Sequence, residues 1–122
     1  MADLLTEFGE SIAKNLPGFI AVSILDIYKG IIYHSKSVLK DYNIDLDSNY
    51  ILEMVRAKLN GIHALKQNQQ IQDITISLTS QYHVIDVSNN HEFLIYLVVD
   101  ASEANLTMTK ALLNKYKKSI SL

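Results

Sequence analysis

The chain has 122 residues, a net charge of −2, 48% hydrophobic and 20% charged residues, and no cysteine, which suits one domain with a substantial core and lies far from disordered compositions. The missing cysteines exclude disulfide frameworks, thiol nucleophiles and thiolate zinc sites. The scattered lysines, apart from a terminal "KYKKS", give no basic face for nucleic acid, and no stretch approaches the ~20 apolar residues of a membrane span.

The N-terminus is acidic early and lacks a long apolar core, so it does not read as a signal peptide; a soluble, cytoplasmic protein without membrane insertion is expected. A first helix is predicted from Asp3 to Asn15, with Leu4, Leu5, Phe8, Ile12 and Leu16 on one stripe and Pro17-Gly18 as its stop. "FIAVSILD" follows as an interior strand, because both of its faces are apolar or small. A "DIYKG" turn, in which Gly30 supplies a positive φ, leads into the edge strand "IIYHSKS" with its polar far end.

"VLKDYNIDLDSN" reads as a connection, and a long helix is predicted from Ser48 to Asn68 with Asp47 or Ser48 as N-cap. Its apolar positions Ile51, Leu52, Met54, Val55, Leu59, Ile62 and Leu65 cover a face broad enough to serve more than one surface. Then "ITISLT" alternates apolar and polar, "YHVIDV" follows a short Ser80-Gln81 turn, and "EFLIYLVVD" is apolar on both faces and therefore central. Asp100 or Ser102 is predicted to cap a last helix, "EANLTMTKALLNKYKK". The order α-β-β-α-β-β-β-α implies an α+β domain: a five-stranded antiparallel sheet with helices on both faces.

Chemical motifs are few. Gly9, Gly18, Gly30 and Gly61 are isolated, so neither a phosphate-binding loop nor a dinucleotide fingerprint is present. Asp45, Asp47 and Asn49 begin like a calcium loop, but Tyr50 and Arg56 stand where glycine and glutamate are needed. His34, His63, His83 and His91 fall in different elements with no ligand spacing, and His34 and His83 read as half-exposed strand residues. No metal, cofactor or catalytic set is therefore expected. Arg56, the sole arginine, fits either a solvated helix position or a finger toward a partner's phosphate.

The patterns "LPGFIAVSILDIYKGIIYHS", "ITISLTSQYHVIDV" and "FLIYLVVDASEANLTMTKALL", with the long central helix between, resemble the roadblock (dynein light chain 7) family. Asp100, Ala104, Asn105 and Leu106 match the family's strand-to-helix junction, while the spacing of Asp26 and Gly30 departs from its usual hairpin turn. The resemblance implies a roadblock/profilin-like fold and a non-catalytic scaffold or regulator. Such modules form dimers through the third strand and central helix and engage Ras-like small GTPases. The residues agree in part: "ITISLT" is an edge with no proline or lysine to blunt it. The expected homodimer interface is Ile51, Val55, Leu59, Ile62, Thr75, Ser77 and Thr79; the expected partner surface is Glu53, Arg56, Asn60 and His63. A profilin- or PAS-like small-molecule sensor, and a hydrolase using His34 or His83, are the competing readings.

Overall fold

A computed structural model describes residues 2–120. Helix α1 spans Ala2–Asn15, strands β1 and β2 span Phe19–Asp26 and Ile32–Ser37, and helix α2 spans Ile44–Ala64. Strands β3, β4 and β5 follow at Asp73–Ser77, Gln81–Val87 and Phe93–Asp100. Helix α3 covers Leu106–Lys117 and runs into a short 3-10 turn at Lys118–Ile120. The strands form one antiparallel sheet in the order β2-β1-β5-β4-β3. The predicted α+β architecture and the central place of β5 are as observed.

Alternation along the strands divides the core in two. Leu25, Ile85, Leu94, Tyr96 and Val98 turn to the face that α2 covers with Ile51, Leu52 and Val55. Val22, Ile24, Val84, Leu97 and Val99 turn to the opposite face, where α1 contributes Phe8 and Ile12 and α3 contributes Leu113. Because β1 and β5 are sandwiched between helix layers, both of their faces are apolar, which is the reason they read as interior strands. Leu4, placed on the α1 stripe by its spacing, is exposed; the stripe that packs is Leu5, Phe8, Ile12 and Leu16.

Several boundaries differ from the sequence expectation. Helix α2 begins at Ile44 and not at Ser48, because the Asn43 side chain caps it by accepting from Leu46 N at 3.0 Å. Neither Asp47 nor Ser48 is the cap. Ser48 is buried and its Oγ lies 2.7 Å from Ser23 Oγ on β1, a small-on-small contact that lets helix and strand approach closely. The helix stops at Ala64, so Leu65, expected on the apolar face, is its exposed C-cap. Helix α3 is capped by Asn105, which accepts from Met108 N; Asp100 instead closes a turn by accepting from the Ser102 N–H and hydroxyl.

Glycine matters at two places. Gly30 adopts φ +71° in the β1–β2 turn, as that turn requires. Gly9 on α1 leaves room for the His34 ring on β2, since a Cβ there would stand 2.2 Å from His34 Nε2.

Candidate functional site

The sheet has two open edges, and they are not equivalent. On β2 the register with β1 shifts between Ile24 and Leu25, which bulges Tyr33 out of the ladder. Lys36 also lies on that strand, paired with Glu10 of α1 at 3.0 Å. A bulge and a lysine both discourage edge pairing. Strand β3 has neither: its register with β4 runs unbroken from Asp73↔Asp86 to Ser77↔Tyr82. It is the edge left available to another chain.

The side chains of β3 sort by face. Ile74 and Ile76 lie half-buried on the α2 side, while Thr75 lies opposite, beside Val84. Helix α2 runs over β1 and β2 rather than β3, so the isoleucines are only partly covered. Met54, Leu59 and Ile62 of α2 pack half-buried against the same core, and Ile62 shares a surface groove with Ile74. Gly61 sits on this helix too, and a Cβ there would meet nothing within 4 Å. The isolated chain therefore gives no packing reason for a glycine that costs helix stability by ~1 kcal/mol relative to alanine.

The expected interface residues are thus divided. Val55 and Ile51 are enclosed by the chain's own core and have no surface to offer. Leu59, Ile62, Thr75 and Ser77 lie along the accessible side, with Thr79 beyond the end of β3 in the turn to β4. Of the expected partner surface, Glu53, Asn60 and His63 are exposed. Arg56 is not a free cation. Its Nε donates to the Ile27 carbonyl at 2.6 Å and its Nη2 to the Tyr28 carbonyl at 2.8 Å, so it bolts α2 to the β1–β2 turn. Arg56, Asn60 and His63 also line a cleft of about 480 Å³ that reaches His91 in the β4–β5 turn.

Beside this surface lies a polar chain that no spacing in the sequence revealed. Asp47 Oδ2 accepts from both the Tyr42 and Tyr96 hydroxyls; Tyr96 Oη lies 2.8 Å from His83 Nδ1, and His83 Nε2 lies 2.9 Å from Gln81 Oε1. Tyr96 is fully buried and His83 is 7% exposed, so His83 is not the half-exposed residue expected. Burial, joined by hydrogen bonds with Tyr42 and Asp47 and by the charge of Asp47, holds the Tyr96 phenol well above its usual pKa. Burial also pushes the His83 imidazole below its usual value, against the attraction of Asp47. The one available signal was a lone tyrosine amid the apolar run of β5: a buried phenol needs a partner.

Asp45, Asp47 and Asn49 lie in the opening turns of α2, so the calcium-loop geometry is absent there. The space beneath α2 is filled by Leu25, Ile85, Tyr96 and Val98. No helix among the described residues is long and apolar enough to cross a membrane.

No family model matches the chain, and no curated protein matches it in sequence. Solved structures do match. Myxococcus xanthus MglB superposes with a TM-score of 0.83 at 9% identity, over 98% of this chain and 86% of that one. The gliding protein MglB from Thermus thermophilus gives 0.77 at 16% identity, over 97% and 86% of the two chains. A Roadblock/LC7 domain from Streptomyces avermitilis gives 0.77 at 8% identity, over 94% and 92%.

Proposed function

From the roadblock/LC7 fold that these likenesses establish, we propose that the chain is a regulatory module that acts as a homodimer on a Ras-like small GTPase in the cytoplasm. The observation that carries this reading is the contrast between the two sheet edges. β2 is bulged and carries a lysine, whereas β3 is regular, uncharged at its centre and bordered by half-covered isoleucines. A second copy meeting β3 and the adjoining flank of α2 would cover Ile74, Ile76, Leu59 and Ile62 together. It would also give Gly61 a purpose, as a point of close helix approach. A solved MglB described as having a tetrameric arrangement shares the fold, with a TM-score of 0.69 at 16% identity.

In this reading the chain performs no chemistry of its own. With Arg56 committed to backbone carbonyls, it is not the finger that some regulators insert toward phosphate. The module acts by preferring one arrangement of the partner's switch loops, through exposed Glu53, Asn60 and His63 on α2. Such a preference shifts the partner's conformational population only as far as the two affinities differ.

Light scattering on the purified chain and a pull-down against GTP- and GDP-loaded GTPase test the two parts. A dimer that retains one nucleotide state over the other is expected. A monomer removes the homodimer, and equal retention or none removes the nucleotide-sensing role.

A further inference from the structure

The cleft between α2 and the turns at one end of the sheet is built from several parts of the chain. Arg56, Asn60 and His63 stand at i, i+4 and i+7 on α2, so one stripe of the helix lines it. Tyr28 comes from the β1–β2 turn and His91 from the β4–β5 turn. The Ile27 N–H donates to the Glu92 carbonyl at 2.8 Å, so the two turns are joined into one wall. Gln67 and Gln69 add carboxamides from the segment that leaves α2, while Leu59 and Ile62 supply apolar surface.

The charge of this cleft runs against that of the chain. The sequence has 13 acidic residues to 11 basic ones, yet among the described residues no carboxylate lines the cleft. A groove of about 380 Å³ beside α3 shows the contrast. Asp73 and Asp86 line it, and each is paired with a lysine that also lines it, Lys110 at 3.1 Å and Lys117 at 2.8 Å. Arg56 has no ion pair among the described residues, so its carbonyl contacts leave the charge unneutralised. The carboxylates closest in sequence stay outside the lining. Glu53 and Glu92 are exposed, and Asp26 accepts from the Lys29 N–H and the Tyr33 hydroxyl.

Arg56 is also held in place. Its Nε–H and one Nη2–H are spent on the Ile27 and Tyr28 carbonyls, which leaves the Nη1–Nη2 edge of the guanidinium without a partner. The N–H groups on that edge lie side by side, at the spacing of two oxygens of a carboxylate or phosphate. A cation anchored in advance loses little further freedom when it binds. His91 adds a second unmet group. Its Nε2 is buried with no hydrogen-bond partner among the described residues, and its backbone is left-handed at φ +58°. Non-glycine residues are uncommon in that region, and such outliers gather at ligand clamps.

We propose that this cleft binds a small organic anion, a carboxylate or phosphate ester on an apolar body, with its oxygens on the free edge of Arg56. Asn60, His63 and His91 meet its remaining polar atoms, and Leu59 and Ile62 hold the body. The site lies on a single chain and depends on neither the homodimer nor the GTPase. Its volume of about 480 Å³ suits such a ligand, since small-molecule sites run from about 300 to 1,000 Å³.

Arg56 is the only arginine, so its Nε–H gives a single NMR signal that reports on the site directly. The probes are benzoate, phenyl phosphate and benzamide, the uncharged analogue of benzoate, each titrated at constant ionic strength. Benzoate or phenyl phosphate should shift that signal and the backbone amides of Tyr28, Asn60 and His91 saturably, with a Kd on the order of 1 mM for such small fragments. The tighter of the two tells carboxylate from phosphate. Benzamide should bind at least about ten-fold more weakly. Arg56→Gln should abolish binding. His63→Ala, an exposed position, should weaken it about three- to ten-fold with the fold intact, and carries the test if Arg56→Gln unfolds. Lys110→Ala, in the other groove, should leave the affinity unchanged. No saturable shift with either anion overturns the site. So does benzamide binding as tightly as benzoate, or His63→Ala weakening binding no more than Lys110→Ala does.

Discussion

Tyr96 donates its phenolic hydrogen to Asp47 Oδ2 across 2.7 Å, joining the middle of the central strand to the first turn of α2. Tyr42 donates to the same oxygen. The Tyr96 hydroxyl also lies 2.8 Å from His83 Nδ1, so the carboxylate, both phenols and the imidazole form one connected polar cluster. Substituting Asp47→Ala strands two donors at once and should lower unfolding free energy by roughly 1–3 kcal/mol. Asp47→Asn keeps one acceptor oxygen and should lose less. Urea midpoints of the two variants check the order, and equal losses would remove the account.

The same chain sets a pH window for stability. Burial lowers the pKa of His83 and of His34, so the folded protein resists a proton that the unfolded imidazole takes up near pH 6.5. The unfolded state then binds more protons, and stability should fall as pH drops below about 6.5, levelling once the folded-state values are passed. Tyr42 and Tyr96 act at the other end. Burial raises both phenols, so above about pH 10 the unfolded chain loses protons that the folded chain keeps, and stability falls as pH rises. Chemical denaturation across both limbs should show a plateau between them. His83→Gln should flatten the acidic limb and Tyr96→Phe the alkaline one; unchanged limbs would contradict the assignment.

Arg56 offers a test of structural against partner-facing roles. Its two donations to the Ile27 and Tyr28 carbonyls need a planar fork, which lysine cannot supply. Arg56→Lys should cost about 1–2 kcal/mol and speed hydrogen exchange of the Gly30 amide, which closes the same turn onto the Asp26 carbonyl. A variant with unaltered exchange there would mean that the contact does not hold the turn.

Gly9 and His34 form a size-matched pair across α1 and β2. Gly9→Ala gains helix propensity yet drives a methyl into the imidazole, and should destabilise by about 1–3 kcal/mol. Gly9→Ala combined with His34→Ala should recover most of that loss. A double-mutant cycle measures the coupling, and strict additivity would dismiss it.

Sequence periodicity was sufficient for the order of elements and for the burial of β1 and β5, because those strands are covered on both faces and their composition records it. It misplaced the start of α2 for a local reason. Asp47 and Ser48 are common capping types, and only the structure shows that Asn43 caps the helix while the other two turn inward. The exposure of Glu53, Asn60 and His63 was readable from the polar flank of an amphipathic helix. Arg56 belonged to that flank by spacing but not by contact, since its acceptors lie on a distant turn.

Alternation at period two and stripes at the helical period were enough to dictate the layered antiparallel fold. The composition of "ITISLT" was likewise enough to mark it as an unprotected edge. Three further properties needed the folded chain: which edge is blunted, which residues of β3 turn their backbone outward, and which buried polar atoms find partners. Those properties arise from register and from contacts between residues far apart in the chain, such as Tyr96 with Asp47 and Arg56 with Ile27. A one-residue change of register reverses them while leaving the pattern of apolar residues untouched.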